Sequence, residues 1–121
     1  MTYSESAGSL PKNIESATIE PIGDSGLHSI KLTERAKGRL DVLTFVVGDG
    51  GYVIPYSSIV YDVHGDTWVY ANTDTLTYVR KQIYITRING DSVILSKRLP
   101  IGTAIVTTGV AELFGAEHGI G

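Results

Sequence analysis

Short runs of alternating apolar and polar residues, separated by turn residues, make up most of the chain from residue 16 onward. Runs of this kind, spaced about 8 to 12 residues apart, are typical of a small antiparallel sandwich or barrel. Residues 17–22 and 28–32 flank a Gly-Asp-Ser-Gly segment, which predicts a first hairpin. Asn89-Gly90 lies between two later runs, and both residues accept the positive φ angles of a tight hairpin turn. The pattern therefore predicts a mainly β fold.

Two places in the pattern predict short helices. Thr33 suits an N-cap because its hydroxyl can accept a hydrogen bond from the first helical turn, and residues 34–40 continue at helical spacing. Residues 109–114 are long enough for a single turn of helix near the end of the chain. Between these helices, residues 42–47 and 52–55 flank a Gly-Asp-Gly-Gly segment, which predicts a second hairpin.

The run from residue 77 to 86 is predicted as one strand with two unequal faces. Val79, Lys81, Ile83 and Ile85 share one face, while Arg80, Gln82 and Tyr84 share the other. We therefore expect one side to be buried and the other to be wet, with Arg80 and Lys81 limiting the depth of burial. For the whole chain we predict a flexible segment at residues 1–13, one β-rich domain at 14–114 and a Gly-rich tail at 115–121.

Composition and charge exclude several classes of protein. The net charge is −3 and the ten Lys and Arg residues form no run, so the basic surface of a nucleic-acid-binding protein is missing. The absence of cysteine removes disulfides, thiolate metal sites and thiol catalysis. No apolar run approaches the roughly 20 residues of a membrane helix. Residues 1–13 carry no apolar signal core, so we expect a cytoplasmic protein or a leader that has been removed.

Asp62, His64 and Asp66 alternate along the chain, so on an extended strand all three could face one way and bind a metal ion. Gly65 within the motif favours a hairpin tip instead, where an Asp carboxylate bonds the backbone of its own turn. The turn is the preferred interpretation, and no cofactor or metal is predicted.

Nothing in the remaining sequence forms a catalytic group. His28 and His118 lie far apart with no Ser or carboxylate at a recognisable spacing, so we interpret both as surface histidines. The Gly-rich segment at 48–51 lacks the Lys-Ser/Thr of a phosphate loop.

Aromatic residues are the most informative side chains that remain. They cluster in the β region as Tyr52, Tyr56, Tyr61, Trp68, Tyr70, Tyr78 and Tyr84. Each could anchor a protein interface, since it combines apolar area with a polar tip, or could fill the core, since strands favour aromatics. For any single ring the core is the preferred interpretation.

Six sequence pieces occur in an order that resembles a known family. They are Val53-Ile54-Pro55, Gly65 followed by Trp68-Val69-Tyr70, Tyr78-Val79-Arg80, Gly90-Asp91 before Val93-Ile94-Leu95, Leu99-Pro100-Ile101-Gly102, and Ile105-Val106-Thr107-Thr108-Gly109. In this order they resemble the C-terminal, membrane-proximal domain of membrane fusion proteins, the HlyD-like periplasmic adaptors of bacterial efflux pumps. The resemblance covers residues 53–113. It departs from the family where Ser96-Lys97-Arg98, rather than a glycine, precedes Leu99.

The resemblance implies a non-catalytic domain that contacts a membrane transporter or other adaptor protomers, in an extracytoplasmic location reached through partners or a missing leader. In the family this domain takes strands from both ends of the chain, so residues 17–32 would supply the missing strands. A complete adaptor also has a helical hairpin, a lipoyl-like domain and a β-barrel, so we expect a fragment or a stand-alone relative. Homo-oligomerisation is left open. The candidate interface residues are Tyr56, Tyr61, Trp68, Tyr70, Tyr78 and Arg80.

Two other classes of function stay as alternatives. One is a small extracytoplasmic domain that binds a ligand or a metal, through Asp62, His64 and Asp66 or through an aromatic pocket. The other is an enzyme, which is the weakest interpretation because no base, nucleophile and orienting group can be named together.

Overall fold

The structure, a computed structural model, describes residues 17–118. The strands are β1 (Ala17–Pro21), β2 (His28–Leu32), β3 (Leu43–Val46), β4 (Val53–Pro55), β5 (Val60–Tyr61), β6 (Thr67–Asp74), β7 (Thr77–Ile83), β8 (Ile85–Asn89), β9 (Ser92–Leu95) and β10 (Ala104–Thr108). The helices are α1 (Glu34–Leu40) and α2 (Val110–Glu117), and single 3-10 turns lie at Asp49–Gly51 and Tyr56–Ser58. The predicted flexible segment at residues 1–13 lies outside the described residues.

The strands form two antiparallel sheets. The larger sheet has seven strands in the order β1-β2-β7-β6-β10-β3, with β5 pairing with the beginning of β6. The smaller sheet has three strands in the order β4-β9-β8. The predicted mainly β fold with two short helices is confirmed, and of the two predicted architectures the sandwich fits, because the large sheet does not close into a barrel.

The large sheet is covered on both faces, because successive residues of a strand point to opposite sides. Tyr70 of β6 and Val106 of β10 face a core that α1 and α2 complete with Ala36, Val110 and Leu113. The neighbouring Val69 and Ile105 face a second core, which the small sheet completes. The fold therefore consists of three layers, in which the large sheet lies between the helices and the small sheet.

Local signals in the sequence produced the expected elements. β1 and β2 form the first hairpin, with Ala17 opposite Leu32. The Thr33 hydroxyl accepts a hydrogen bond from the backbone N–H of Ala36 at 3.0 Å, as predicted for the N-cap of α1. β8 and β9 form the predicted hairpin, but Asn89 pairs with Ser92 at the end of β8, so the turn residues are Gly90, with a φ of +63°, and Asp91.

The predicted second hairpin is wrong. β3 pairs with β10 in the large sheet, whereas β4 pairs with β9 in the small sheet, so the two strands belong to different layers. The Gly-rich segment between them forms a 3-10 turn that carries the chain from one layer to the other. The sheet that each strand joins is determined by its pairing with a distant strand, and not by the turn residues between β3 and β4.

The predicted strand from residue 77 to 86 also needs correction. It divides at Tyr84 into β7 of the large sheet and β8 of the small sheet. Arg80, which was expected to limit the depth of burial, is only 7% exposed, and Tyr78 on the same face is 2% exposed. Both faces of β7 are covered, because α2 packs on this side of the large sheet.

The predicted tail begins too early. α2 continues through Gly115 to Glu117, and Ala116 and Glu117 are buried. Residues 119–121 of the predicted tail lie outside the described residues. No helix within residues 17–118 is long and apolar enough to span a membrane.

Candidate functional site

A buried carboxylate at the end of α2 is the centre of the candidate site. The side chain of Glu117 is 1% exposed. Its Oε1 accepts a hydrogen bond from the Tyr70 hydroxyl at 2.7 Å, and its Oε2 accepts one from the backbone N–H of His28 at 3.2 Å. The Arg80 Nε lies 3.1 Å from Oε1, but its N–H does not point along the direction of a hydrogen bond. The attraction between opposite charges therefore holds this pair together.

The sheet brings these groups together. Tyr70 of β6 and Arg80 of β7 lie directly opposite each other in the antiparallel register, with their side chains on the same face. α2 crosses that face and contacts β2 and β6, which places Glu117 over both side chains. His28 stands at the beginning of β2, and its Nδ1 lies 3.6 Å from Glu117 Oε2.

Aromatic rings cover the other side of the Arg80 guanidinium. Its Cζ lies 4.1 Å from the centre of the Trp68 ring and 6.0 Å from that of Phe114, both within range of cation–π attraction. The Trp68 indole N–H donates to Asp62 Oδ2 at 2.9 Å. A hydrogen bond, a cation–π contact and an ion pair therefore connect Asp62 through Trp68 and Arg80 to Glu117.

Two pKa values shift in this network, in opposite directions. Burial, together with the hydrogen bond to Glu117, strongly raises the pKa of Tyr70, so the phenol stays protonated as a donor. Partial desolvation raises the pKa of Asp62, but the hydrogen bonds from Trp68 and from the backbones of Asp66 and His64 outweigh it and leave a lower value. Asp62 is thus a stable carboxylate acceptor.

The hairpin interpretation of the Asp62 motif is confirmed. β5 and β6 pair on either side of it, and Gly65 has a φ of +85°. Asp62 Oδ1 accepts the backbone N–H groups of His64 and Asp66, each at 2.9 Å, so the carboxylate stabilises its own turn. Within residues 17–118, no three His, Cys, Asp or Glu side chains are grouped so that they could hold a metal ion.

The two histidines occupy different surroundings. The His28 side chain is 35% exposed and lies against the buried Glu117, so only part of it is at the surface. His118 is exposed, and its Nδ1 lies 2.8 Å from the Phe114 carbonyl oxygen. The surface interpretation therefore holds for His118 and only partly for His28.

The candidate interface residues separate into three groups. Tyr56 and Tyr61 are exposed by 45% and 49%, and burial and the Tyr56 hydroxyl raise the pKa of Tyr61. Trp68 is half-buried. Tyr70 and Tyr78 are buried by the helices that cover this face of the sheet, which corrects their assignment to an interface. Arg80 is mostly buried, yet it lines two surface depressions.

Glu117 is the central residue that sequence reasoning missed. The sequence does contain a signal, since Val110, Leu113 and Glu117 are spaced three and four residues apart and so share one face of a helix. A carboxylate on the apolar face of a helix requires a buried partner. The glycine at position 115 instead led to the prediction of a tail.

Replacing Tyr70 by Phe is expected to lower the free energy of unfolding by about 1.5 to 3 kcal/mol, because a hydrogen bond to a charged group is lost. Chemical denaturation at pH 7 measures the change. Tyr84→Phe is the control, since Tyr84 is exposed and its replacement should change stability by less than about 0.5 kcal/mol. Equal effects of the two changes would contradict the assigned role of the Tyr70 hydroxyl.

The same variant has a distinct pH dependence. Because the folded-state pKa of Tyr70 is raised, the unfolded chain loses this proton first as the pH rises above about 10, and stability falls there. Tyr70→Phe should remove this part of the alkaline loss while leaving the contributions of the other tyrosines. Unfolding curves between pH 8 and 11 check the difference, and parallel slopes would contradict it.

Comparisons of the chain with protein-family profiles, with curated proteins and with solved structures found no match.

Proposed function

We propose that this chain is a non-catalytic adaptor domain of the membrane-fusion-protein type, which contacts a membrane transporter or other adaptor subunits in efflux. The observation that carries the proposal is the distribution of the six sequence pieces over the fold. The pieces fall in order on β4, the turn before β6, β6 itself, β7, the β8–β9 hairpin, the turn before β10, and β10. Strand and turn alternate as the resemblance implies.

The N-terminal hairpin provides independent support. β2 pairs with β7 and β1 covers the outer edge of β2, so the N-terminal strands extend the sheet that β6 and β7 begin. Without them β7 would have a free edge along its whole length. The resemblance implies such strands from near the beginning of the chain.

The buried network supports a domain without catalytic chemistry. Both oxygens of Glu117 already accept hydrogen bonds, and its charge is balanced by Arg80. The raised pKa of Tyr70 is the wrong direction for a nucleophile or a base near neutral pH. These groups join α2 to the sheet, and a role in folding accounts for each contact.

Exposed aromatic and apolar side chains near β5 offer a contact surface. Tyr56 and Tyr61 are neighbours, and Val63 in the following turn is 92% exposed. Large side chains of this kind are enriched where proteins bind one another. This surface is the part of the candidate interface that remains accessible.

Site-specific photo-crosslinking in cells tests the proposal. A photo-reactive amino acid replaces Tyr56 or Tyr61 in the full-length protein, and mass spectrometry identifies the adduct. We expect adducts with an integral membrane transporter or with a second adaptor subunit. The control position is Lys37, an exposed residue of α1.

Two results would contradict the proposal. One is a set of adducts at Tyr56 and Tyr61 that contains soluble proteins alone, or no adduct at either position. The other is the same set of partners from Lys37, which would mean that contact reflects abundance rather than a specific surface.

A further inference from the structure

One stretch of the central sheet has a strand on one side only. The pairing of β2 with β7 stops at Ser29 opposite Val79. The pairing of β6 with β7 continues to Thr67 opposite Ile83. Within the described residues, the segment 80–83 of β7 therefore has an open edge where the chain turns away into the β1–β2 loop. An open edge can accept a further strand through backbone hydrogen bonds.

A groove lies along this open edge. Ser25 and Leu27 of the β1–β2 loop form one wall, and residues 98–100 form another. We call this depression, of about 530 Å³, the β7 groove. Leu27, Trp68 and Leu99 provide its apolar surface, so it offers contact area as well as backbone groups.

The β7 groove is basic although the chain is acidic overall. Its lining includes Arg80, Lys81 and Arg98 and no carboxylate, whereas the whole chain has a net charge of −3. Glu117 balances Arg80, but neither Lys81 nor Arg98 forms a salt bridge with any residue in the described part of the chain. Two cations are therefore left to attract a negative partner.

The cations are distributed in a way that suits an added strand. Alternate residues of β7 face opposite sides of the sheet, so Arg80 lies on the face toward α2 and Lys81 on the other face. A strand placed beside segment 80–83 would bring its own side chains to within about 5.5 Å of these residues, measured between Cβ atoms. A carboxylate on the face of Lys81 would meet a cation without a salt bridge in the described part of the chain, whereas Arg80 on the other face is already paired with Glu117.

We propose that the β7 groove binds a short, extended, acidic segment of a partner protein, which adds to the open edge of β7. Arg98 and Lys81 attract its carboxylates, and Leu27, Trp68 and Leu99 contact an apolar side chain between them. The inference rests on the proposed function in so far as the partner is the transporter or adaptor subunit, but the groove itself is defined by the fold alone.

The only tryptophan of the chain lines the groove, so its fluorescence reports binding directly. The probe is an end-capped peptide, Glu-Val-Asp-Val-Glu, titrated into the full chain at low salt. We expect a saturable change in Trp68 emission that weakens as salt is added, since exposed charge pairs are screened. The matched peptide Gln-Val-Asn-Val-Gln should bind at least about tenfold more weakly, because several charge pairs are lost.

Variants locate the binding site. The double substitution Lys81→Gln with Arg98→Gln should weaken binding of the acidic peptide by about tenfold, because two charge pairs are lost. Lys37→Gln with Arg39→Gln removes the same charge from α1 and should leave binding unchanged. Thermal unfolding of both double variants verifies that each is folded.

Backbone methylation tests the mode of binding. Two peptides are compared, one methylated at the odd-numbered and the other at the even-numbered backbone nitrogens. Their affinities should differ strongly, because only one set of N–H groups can face β7. Equal binding of the two methylated peptides would overturn strand addition.

Two further results would overturn the proposal: equal binding of the acidic and neutral peptides, or equal loss of binding in the two double variants. These outcomes leave the crosslinks from Tyr56 and Tyr61 unaffected, so failure of the groove and failure of the adaptor function are distinguishable.

Discussion

Replacing Glu117 by Gln is expected to lower the free energy of unfolding by about 3 to 5 kcal/mol. The reason is that Arg80, whose side chain is 8% exposed, would keep its charge without a carboxylate partner in a largely dry site. Urea denaturation at pH 7, followed by far-ultraviolet circular dichroism, measures the loss. A change of this size is a large part of the stability of a small domain.

Glu112→Gln is the matched control for this prediction. It removes the same charge from the same helix, but Glu112 is exposed and forms no salt bridge within residues 17–118. We expect it to change stability by less than about 0.5 kcal/mol. Similar effects of the two substitutions would mean that water reaches Glu117 and that the buried network is not what holds α2.

A double substitution separates the cost of a lone charge from the value of the pair. Arg80→Leu combined with Glu117→Leu removes both charges, and buried ion pairs replaced in this way often cost little. The double variant should therefore be more stable than Glu117→Gln. If it is less stable, the pair itself, together with the Tyr70 and Trp68 contacts, contributes more than apolar packing does.

The difference between what the sequence predicted and what it missed lies in the range of the interactions. Gly90 supports a two-residue hairpin turn through its positive φ angle, and the Thr33 hydroxyl caps α1 by accepting a hydrogen bond from Ala36, three residues along the chain. These elements depend on a few neighbouring residues. They could be predicted because their formation does not depend on contacts with residues far along the chain.

The sheet assignment of β3 and β4 could not be predicted in this way. β3 pairs with β10 and β4 pairs with β9, so each strand depends on a partner far along the chain. The division of one apolar run at Tyr84 has the same origin, since its two halves join different sheets. Periodicity shows that a run is a strand but not which layer receives it.

The same reasoning explains the missed site. Glu117 receives its hydrogen bond from Tyr70, 47 residues away, and its charge partner from another strand. Arg80 was expected to limit the burial of its strand, but the Glu117 carboxylate and the Trp68 ring allow its guanidinium to be buried. The aromatic residues were correctly singled out as a group, but which of them are accessible depends on where α2 packs.

The second large effect is expected at Gly51, where two distant segments of backbone meet. The Gly51 carbonyl accepts a hydrogen bond from the Leu99 N–H at 2.8 Å. A Cβ atom added at Gly51 would lie 2.1 Å from the Leu99 carbonyl oxygen, a backbone atom that cannot rotate away. The residue also has a φ of +76°, which favours glycine.

Gly51→Ala is therefore expected to cost about 2 to 6 kcal/mol, the sum of about 1 to 3 for the left-handed backbone and about 1 to 3 for the steric overlap. Gly50→Ala provides the comparison, because Gly50 has a φ of +74° and its nearest contact would be the Tyr52 ring at 3.5 Å. The difference between the two variants isolates the overlap with Leu99, and chemical denaturation measures it.

The outcome also bears on the β7 groove, because residues 98–100 form one of its walls. We expect relief of the overlap at Gly51 to displace Leu99 and, with it, Arg98. Gly51→Ala should therefore weaken binding of the acidic peptide, whereas Gly50→Ala should not. Equal stability of the two variants would contradict the close approach of the two backbones. Unchanged peptide binding by Gly51→Ala would mean that the loop carrying Arg98 does not set the shape of the groove.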